Sequence, residues 1–143
     1  MVLFFLLISG SAAFAGIQAN SMKQGNGIYS SYEKDTVIIR FDYKQSALYH
    51  PYTFEVIDSI VSLLKRNKEV TLSIDGYAYK DEGSDTICYF LSLNRALFIQ
   101  TYILGRGIDS SRIVSVTAYG KRKAMSQKKD KDGFLVNCRA EIM

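Results

Sequence analysis

The sequence predicts an α/β two-layer sandwich in the order β-α-β-α-β-β, with a mixed four-stranded sheet and two helices on one face. Three observations lead there. Four short segments between Thr36 and Ile142 are rich in β-branched residues, and their apolar side chains alternate as in strands. Two intervening segments carry apolar residues at helical spacing. Helix-length connections between strands require crossovers, and these lay helices against a sheet. At 143 residues, 48% hydrophobic and 13% aromatic, the chain has one domain's worth of core-forming material.

The first strand is read in TVIIRFDY, where Val37, Ile39 and Phe41 share a side. Pro51, the only proline, fits the first turn of a helix, where its missing N–H costs nothing. Phe54, Ile57, Ile60, Val61 and Leu64 form that helix's apolar stripe, and Lys65, Arg66 and Lys68 suit its negative end. Val70, Leu72 and Ile74 alternate as the second strand. Ser84 or Asp85 can cap a second helix that runs to Gly105, a suitable C′ residue. Ile113, Val114 and Val116 lie in the third strand, and Phe134 to Ile142 form the fourth. Strand order does not follow from the sequence.

Ahead of this domain, VLFFLLIS is an apolar run followed by small residues, with Ala13 and Ala15 forming an A-x-A cleavage site before Gly16. Residues 1–15 read as a secretory signal peptide, residues 16–35 as a polar linker and residues 36–143 as the domain. The apolar run is shorter than the roughly 20 residues of a spanning helix. No second apolar stretch of spanning length is expected, so the mature chain is placed outside the cytoplasm without a membrane span.

A net charge of +4, with no uniformly basic stretch, gives little basis for nucleic-acid binding. The runs Lys121-Arg122-Lys123 and Lys128-Lys129-Asp130-Lys131-Asp132-Gly133 are interrupted by acids and read as a solvated loop. Catalysis is disfavoured as well. His50 is the only histidine, and no nucleophile elbow, phosphate loop or metal-ligand spacing is present. No cofactor is expected.

The words LSIDGYAYKDEGSD, LSLNRALFIQTYILGRGI, SRIVSVTAYG and VNCRAEI, with IIRFDYKQSALYHPYTFEVIDSIVSLLKRN upstream, resemble in order the OmpA-like C-terminal domain family. The resemblance covers Thr36 to Met143. It implies a periplasmic location, in association with the outer membrane or cell wall, and non-covalent binding of peptidoglycan. In that family an Asp and an Arg hold the diaminopimelate end of the stem peptide. A carboxylate and a guanidinium suit such a zwitterion, each charge-assisted contact being worth about 1.5–3 kcal/mol.

By this resemblance Leu91, Ser92, Arg95 and Ala96 match L-S-x-x-R-A, which makes Arg95 the centre of the expected site. The family's Asp falls on Tyr79, or on Lys80 in the alternative register, and its Asn falls on Cys88. Asp81 or Glu82 could supply a carboxylate from a loop one residue longer than the family pattern. An Asp81 carboxylate in the role of the family's Asp should lie within about 4 Å of Arg95. Asn137 and Arg139 match the C-terminal N-R-R-V-E-I word, in which Cys138 replaces an Arg. Tyr77 and Tyr79 offer stacking surfaces for sugar rings, or half-buried packing.

Two polar positions of the family thus hold the chain's only cysteines. In an exported protein of this size, Cys88 and Cys138 are expected to pair as a disulfide. Closing a loop of roughly 50 residues would contribute about 4 kcal/mol. Two buried free thiols are the alternative.

Arg95 also has a structural reading. If Asp75, Asp81 or Asp85 saturates its guanidinium, no ligand binds there. The function expected first is a non-catalytic peptidoglycan-binding module centred on Arg95, its binding weak or altered because the family's Asp is absent. The alternative is a degenerate OmpA-like scaffold without peptidoglycan binding, serving structure or an envelope protein partner.

Overall fold

The computed structural model describes residues 35–125 and 136–143, and the backbone of strand segments 23–24, 27–28 and 30–33. The segment read as a signal peptide, the Lys128–Gly133 run and the start of the expected last strand lie outside the described residues.

The four expected strands are present as β4 (Thr36–Arg40), β5 (Leu72–Tyr77), β6 (Ile113–Ala118) and β7 (Arg139–Ile142). Helix α1 (Pro51–Arg66) follows β4, and helix α2 (Asp85–Gly105) joins β5 to β6. Within the segment read as linker, strands β1 (Lys23–Gln24) and β2 (Gly27–Ile28) pair as a small antiparallel ribbon. Strand β3 (Ser30–Glu33) pairs antiparallel with β4 and adds a fifth strand to the edge of the main sheet. That part of residues 16–35 is therefore sheet rather than linker.

The sheet order is β3-β4-β7-β5-β6. Strand β7 lies between β4 and β5, antiparallel to both, and β5 and β6 run parallel across the α2 crossover. The last strand to emerge from the chain is thus the central one. It is also shorter than expected, beginning at Arg139 rather than Phe134.

Alternation decides which side chains meet the helices. Val37, Ile39 and Phe41, Leu72 and Ile74, and Ala140 and Ile142 form one face, packed against Val56, Ile57, Ile60, Val61 and Leu64 of α1 and Ala96, Ile99 and Ile103 of α2. Ile57, Ile60 and Leu64 are fully buried. Each contributes about 1.5–3 kcal/mol relative to exposure. Both helices therefore cover the same sheet face.

Pro51 occupies the first helical turn of α1, as its fixed φ and missing donor allow. The C-terminal end of α1 is stapled by Arg112, which donates from Nε to Val70 O at 2.7 Å, from Nη2 to Asn67 O at 2.7 Å and from Nη1 to Leu64 O at 3.3 Å. Ser84 caps α2 by accepting from the Ile87 N–H at 3.3 Å.

The stop of α2 differs from expectation. Gly105 is its last helical residue, and the left-handed glycine is Gly107, at φ 83°, whose N–H reaches Leu104 O at 3.0 Å. Both glycines of the Gly-Arg-Gly word were available, and the geometry of the turn selected the second.

Helix α2 also corrects the expectation of no second spanning stretch. Its 21 residues are long and apolar enough to cross a membrane by length and composition alone. In this fold it is a core helix, with Cys88, Ser92, Arg95, Ala96, Ile99 and Ile103 buried.

Candidate functional site: a buried arginine and its carboxylate

The L-S-x-x-R-A word divides its labour. Ser92 accepts the Gly120 N–H at 2.9 Å and donates to Tyr89 O at 2.7 Å, tying α2 to the turn after β6. Gly76 lets β5 approach α2, because a Cβ there would stand 1.8 Å from Ser92 O and 3.2 Å from the Ala96 methyl. Ser92, Ala96 and Gly76 thus serve close packing. Arg95 reaches from α2 toward the loop after β4 and the loop after β5.

Arg95 is completely buried. Its Nε donates to Gln45 O at 2.9 Å. One Nη1 contact goes to Tyr77 O and the other to Glu82 Oε2, each at 2.9 Å. Its Nη2 donates to Asp42 O at 3.3 Å and to Glu82 Oε1 at 2.6 Å. A guanidinium has five N–H donors, and five acceptors surround this one. The Phe41 ring lies below it, 5.5 Å from ring centroid to Cζ.

The carboxylate comes from Glu82, not from Asp81. A single 3-10 turn, Lys80–Glu82, follows Tyr79. Asp81 lies on its outside with an exposed side chain, while its carbonyl accepts the Tyr43 hydroxyl at 2.6 Å. One residue later the turn faces inward, and both Glu82 and its side chain are buried.

Each Glu82 oxygen receives one guanidinium N–H and one backbone N–H. Oε1 accepts from Lys44 at 2.7 Å, and Oε2 from Tyr79 at 2.7 Å. Lys44 presents its amide at φ 57°, a left-handed conformation that costs a non-glycine residue about 1–2 kcal/mol. Burial alone would raise the Glu82 pKa. The Arg95 hydrogen bonds and charge, with the two backbone N–H groups, outweigh it and hold the carboxyl below its ordinary 4.5.

The other carboxylates considered for Arg95 lie elsewhere. Asp75 is buried on the sheet face away from the helices. Its pKa is raised by that burial, against a hydrogen bond from Thr117. Asp85 pairs with Lys121 at the start of α2.

The two cysteines correct the expected bridge. Both are free and buried. The Cys88 thiol donates to Tyr79 O and Gly83 O, each at 3.4 Å. The Cys138 thiol is pushed up to about 12 by burial and then by the Glu82 charge, to which it is hydrogen-bonded. Each sulfur is thus engaged with the Tyr79–Gly83 segment, where it fills space beside the ion pair. The approach that the sequence suggested is real, but it brings both thiols to this segment rather than into a bond.

The remaining expected site residues separate into two groups. Tyr79 is buried beside Glu82, with its backbone amide bound to the carboxylate. Asn137 is also buried and accepts the Met125 N–H at 2.7 Å. Tyr77 and Arg139 are cross-strand partners whose side chains occupy the outer sheet face. Arg139 lies 3.8 Å over the Tyr77 ring and pairs with Glu141 at 2.7 Å. The Tyr77 hydroxyl donates to Glu141 at 3.2 Å, and its ring stacks on Tyr119 with centroids 5.1 Å apart. Burial, then the Glu141 charge, raises the Tyr77 pKa. Only the Tyr77 carbonyl belongs to the Arg95 cluster.

Sequence reasoning named Glu82 only as an alternative to Asp81 and missed Lys44, Asp42 and Gln45. The extra loop residue was the available signal for Glu82. The other three contribute backbone atoms, which side-chain identity does not reveal.

The structure resembles a peptidoglycan-associated lipoprotein from Burkholderia pseudomallei at 18% identity, covering 74% of this chain and 87% of that one, with a TM-score of 0.68. It also resembles the periplasmic domain of Helicobacter pylori MotB at 17% identity, covering 86% of each chain, with a TM-score of 0.61. The OmpA-like domain of FopA1 from Francisella tularensis subsp. tularensis gives 22% identity, 79% and 75% coverage and a TM-score of 0.61. These likenesses establish the fold. No curated protein sequence matches the chain. The OmpA family model matches residues 40–137, across β5, α2 and the buried Arg95, and the chain belongs to the OmpA family.

Proposed function

We propose that this protein is a non-catalytic module of the cell envelope, on the periplasmic side, in which the OmpA fold serves structure or contact with an envelope protein. In this reading it does not hold peptidoglycan through Arg95. The supporting observation is that all five Arg95 donors have acceptors within the chain, two of them the oxygens of Glu82. A guanidinium in that state has no N–H to offer a stem-peptide carboxylate. Competing for it would mean removing a charge-assisted bidentate partner from a buried site.

A second reading keeps peptidoglycan, and with it the diaminopimelate end of the stem peptide, as the ligand. It is favoured by the likeness in fold to a peptidoglycan-associated lipoprotein and by the presence of Arg95 itself. Co-sedimentation of the mature wild-type protein with purified sacculi separates the two. The first reading expects no more protein in the pellet than for an unrelated protein of equal charge. Retention that free diaminopimelate competes away would establish the second.

A further inference from the structure

The two ends of the sheet show different chemistry to solvent. Strands β4, β5 and β6 point the same way, because β7 is antiparallel to both β4 and β5 and β6 is parallel to β5. The loops after all three, and the start of α2, therefore gather at one end. Among the described residues, the exposed large apolar side chains Tyr43, Tyr49, Ile87, Tyr89, Phe90 and Met125 stand at that end, each 40–65% exposed. At the other end the two helices finish in Lys65, Arg66 and Arg106, all exposed.

The first turns of α2 are the centre of the apolar end. Ile87 and Phe90 lie three residues apart, hence on one side of the helix, away from the buried Cys88, Ser92 and Arg95. The Tyr89 ring meets Phe90 edge-on, with centroids 5.6 Å apart. The turn after β6 packs against this region, since a Cβ added to Gly120 would stand 3.4 Å from Tyr89 N. That turn carries the exposed run Lys121-Arg122-Lys123. Lys121 pairs with Asp85, while neither Arg122 nor Lys123 is in an ion pair with a described residue. Apart from the buried Arg95, residues 86–105 of α2 carry no charge.

We infer that this end of the domain docks on an anionic lipid bilayer surface. Ile87 and Phe90 enter the acyl boundary, Tyr89 lies at headgroup depth, and the Lys121-Arg122-Lys123 run meets lipid phosphates. An uncharged helix turn bearing Ile and Phe gains by leaving water, and the cations beside it select the surface it enters. Charge favours lipid over a second copy of this chain. The net charge is +4, and a two-fold contact through this end would bring the same basic run near its own image. The docking is peripheral, because Ala96, Ile99 and Ile103 keep the opposite face of α2 in the core. It involves residues other than the Arg95 cluster and does not depend on what that cluster binds.

Flotation of the mature wild-type protein with vesicles is the test, using phosphatidylcholine with and without phosphatidylglycerol. The protein is expected to float with the anionic vesicles and not with pure phosphatidylcholine. Ile87→Ser combined with Phe90→Ser should weaken the apparent Kd at least about tenfold. Arg122→Gln with Lys123→Gln should weaken it as well, whereas Val114→Ser, at an exposed apolar position toward the other end, should not. The chain has no tryptophan, so Phe90→Trp supplies a sole reporter whose emission should shift to the blue on anionic vesicles. No flotation of the wild type overturns the inference. So does flotation that the serine pair leaves intact, which is charge adsorption alone. Self-association that the serine pair abolishes, without flotation, would assign the face to a second copy and overturn it too. If the serine pair unfolds the protein, the reporter decides, and an emission unmoved by anionic vesicles overturns the inference.

Discussion

Two arginine–glutamate pairs stand on opposite faces of the same sheet. Arg95–Glu82, on the helix side, joins residues from a helix and a distant turn, and both side chains are fully buried. Arg139–Glu141, on the outer face, joins residues two apart on β7, with 3% and 17% of the side chains exposed. The first pair gathers backbone donors and acceptors from two segments, the loop after β4 and the end of β5. The second leans on an aromatic stack, with Tyr77 below the guanidinium and Tyr119 beyond it. The difference is one of dependence. Both guanidiniums have a ring beneath them, but the Tyr77 ring lies 3.8 Å from Arg139 and the Phe41 ring 5.5 Å from Arg95. Glu141 keeps some water where Glu82 has none, so the inner charge depends more on its partner.

The largest effect should come from breaking the inner pair. Arg95→Met leaves the Glu82 carboxylate buried without its counter-charge and should cost about 3–5 kcal/mol in denaturant unfolding. Adding Glu82→Gln removes the stranded charge, so the double variant should lose less than the sum of the two single losses. Strict additivity would mean that the two side chains do not form a unit.

Acid offers a second way to reach the same pair. Glu82 has a depressed folded pKa, so its contribution is fully present above its ordinary 4.5 and is lost as pH falls through the lower folded value. Wild-type stability should therefore decline more steeply below pH 4.5 than that of Glu82→Gln. Parallel acid profiles would show that this carboxylate is not held as described.

The outer pair should yield less. Arg139→Met removes a cation–π contact and a half-screened ion pair, for an expected loss of about 1–2 kcal/mol. A loss as large as that of Arg95→Met would erase the distinction between the faces. The smallest change concerns the loop that serves the inner pair. Lys44→Gly relieves the left-handed backbone while retaining the N–H to Glu82, and should stabilise the protein by up to about 1 kcal/mol. Destabilisation would mean that the lysine side chain, which lies near the Tyr43 ring, matters more than its backbone.

Much of the fold was legible because its causes are local. Pro51, Ser84 and the apolar stripes at periods of two and 3.6 carry their geometry in their chemistry. The end of α2 was less legible, since Gly105 and Gly107 are equally capable of a left-handed turn. The site divided along the same line. Arg95 was found from its word, and the absence of an Asp at Tyr79 was found from the same comparison. Whether Asp81 or Glu82 would turn inward depended on the phase of one 3-10 turn, which a single inserted residue shifts. The cysteine pair was read as a bridge from composition and compartment, yet the fold seats both thiols against the Tyr79–Gly83 segment.

By itself, then, the sequence determined the order of four of the strands and the two helices, which face of each is apolar, and that an arginine would sit in the second helix beside a shortened set of polar partners. Those properties follow from side-chain periodicity and backbone preference within a few residues. Only the tertiary structure decided the strand order, with the last strand at the centre, and the burial of Arg95. It also supplied the three backbone carbonyls, the two backbone amides and the single carboxylate that close the cluster. The physical reason is that a buried charge must be satisfied by whatever donors and acceptors converge in space. Here most of those are main-chain atoms that every residue possesses and no sequence pattern distinguishes.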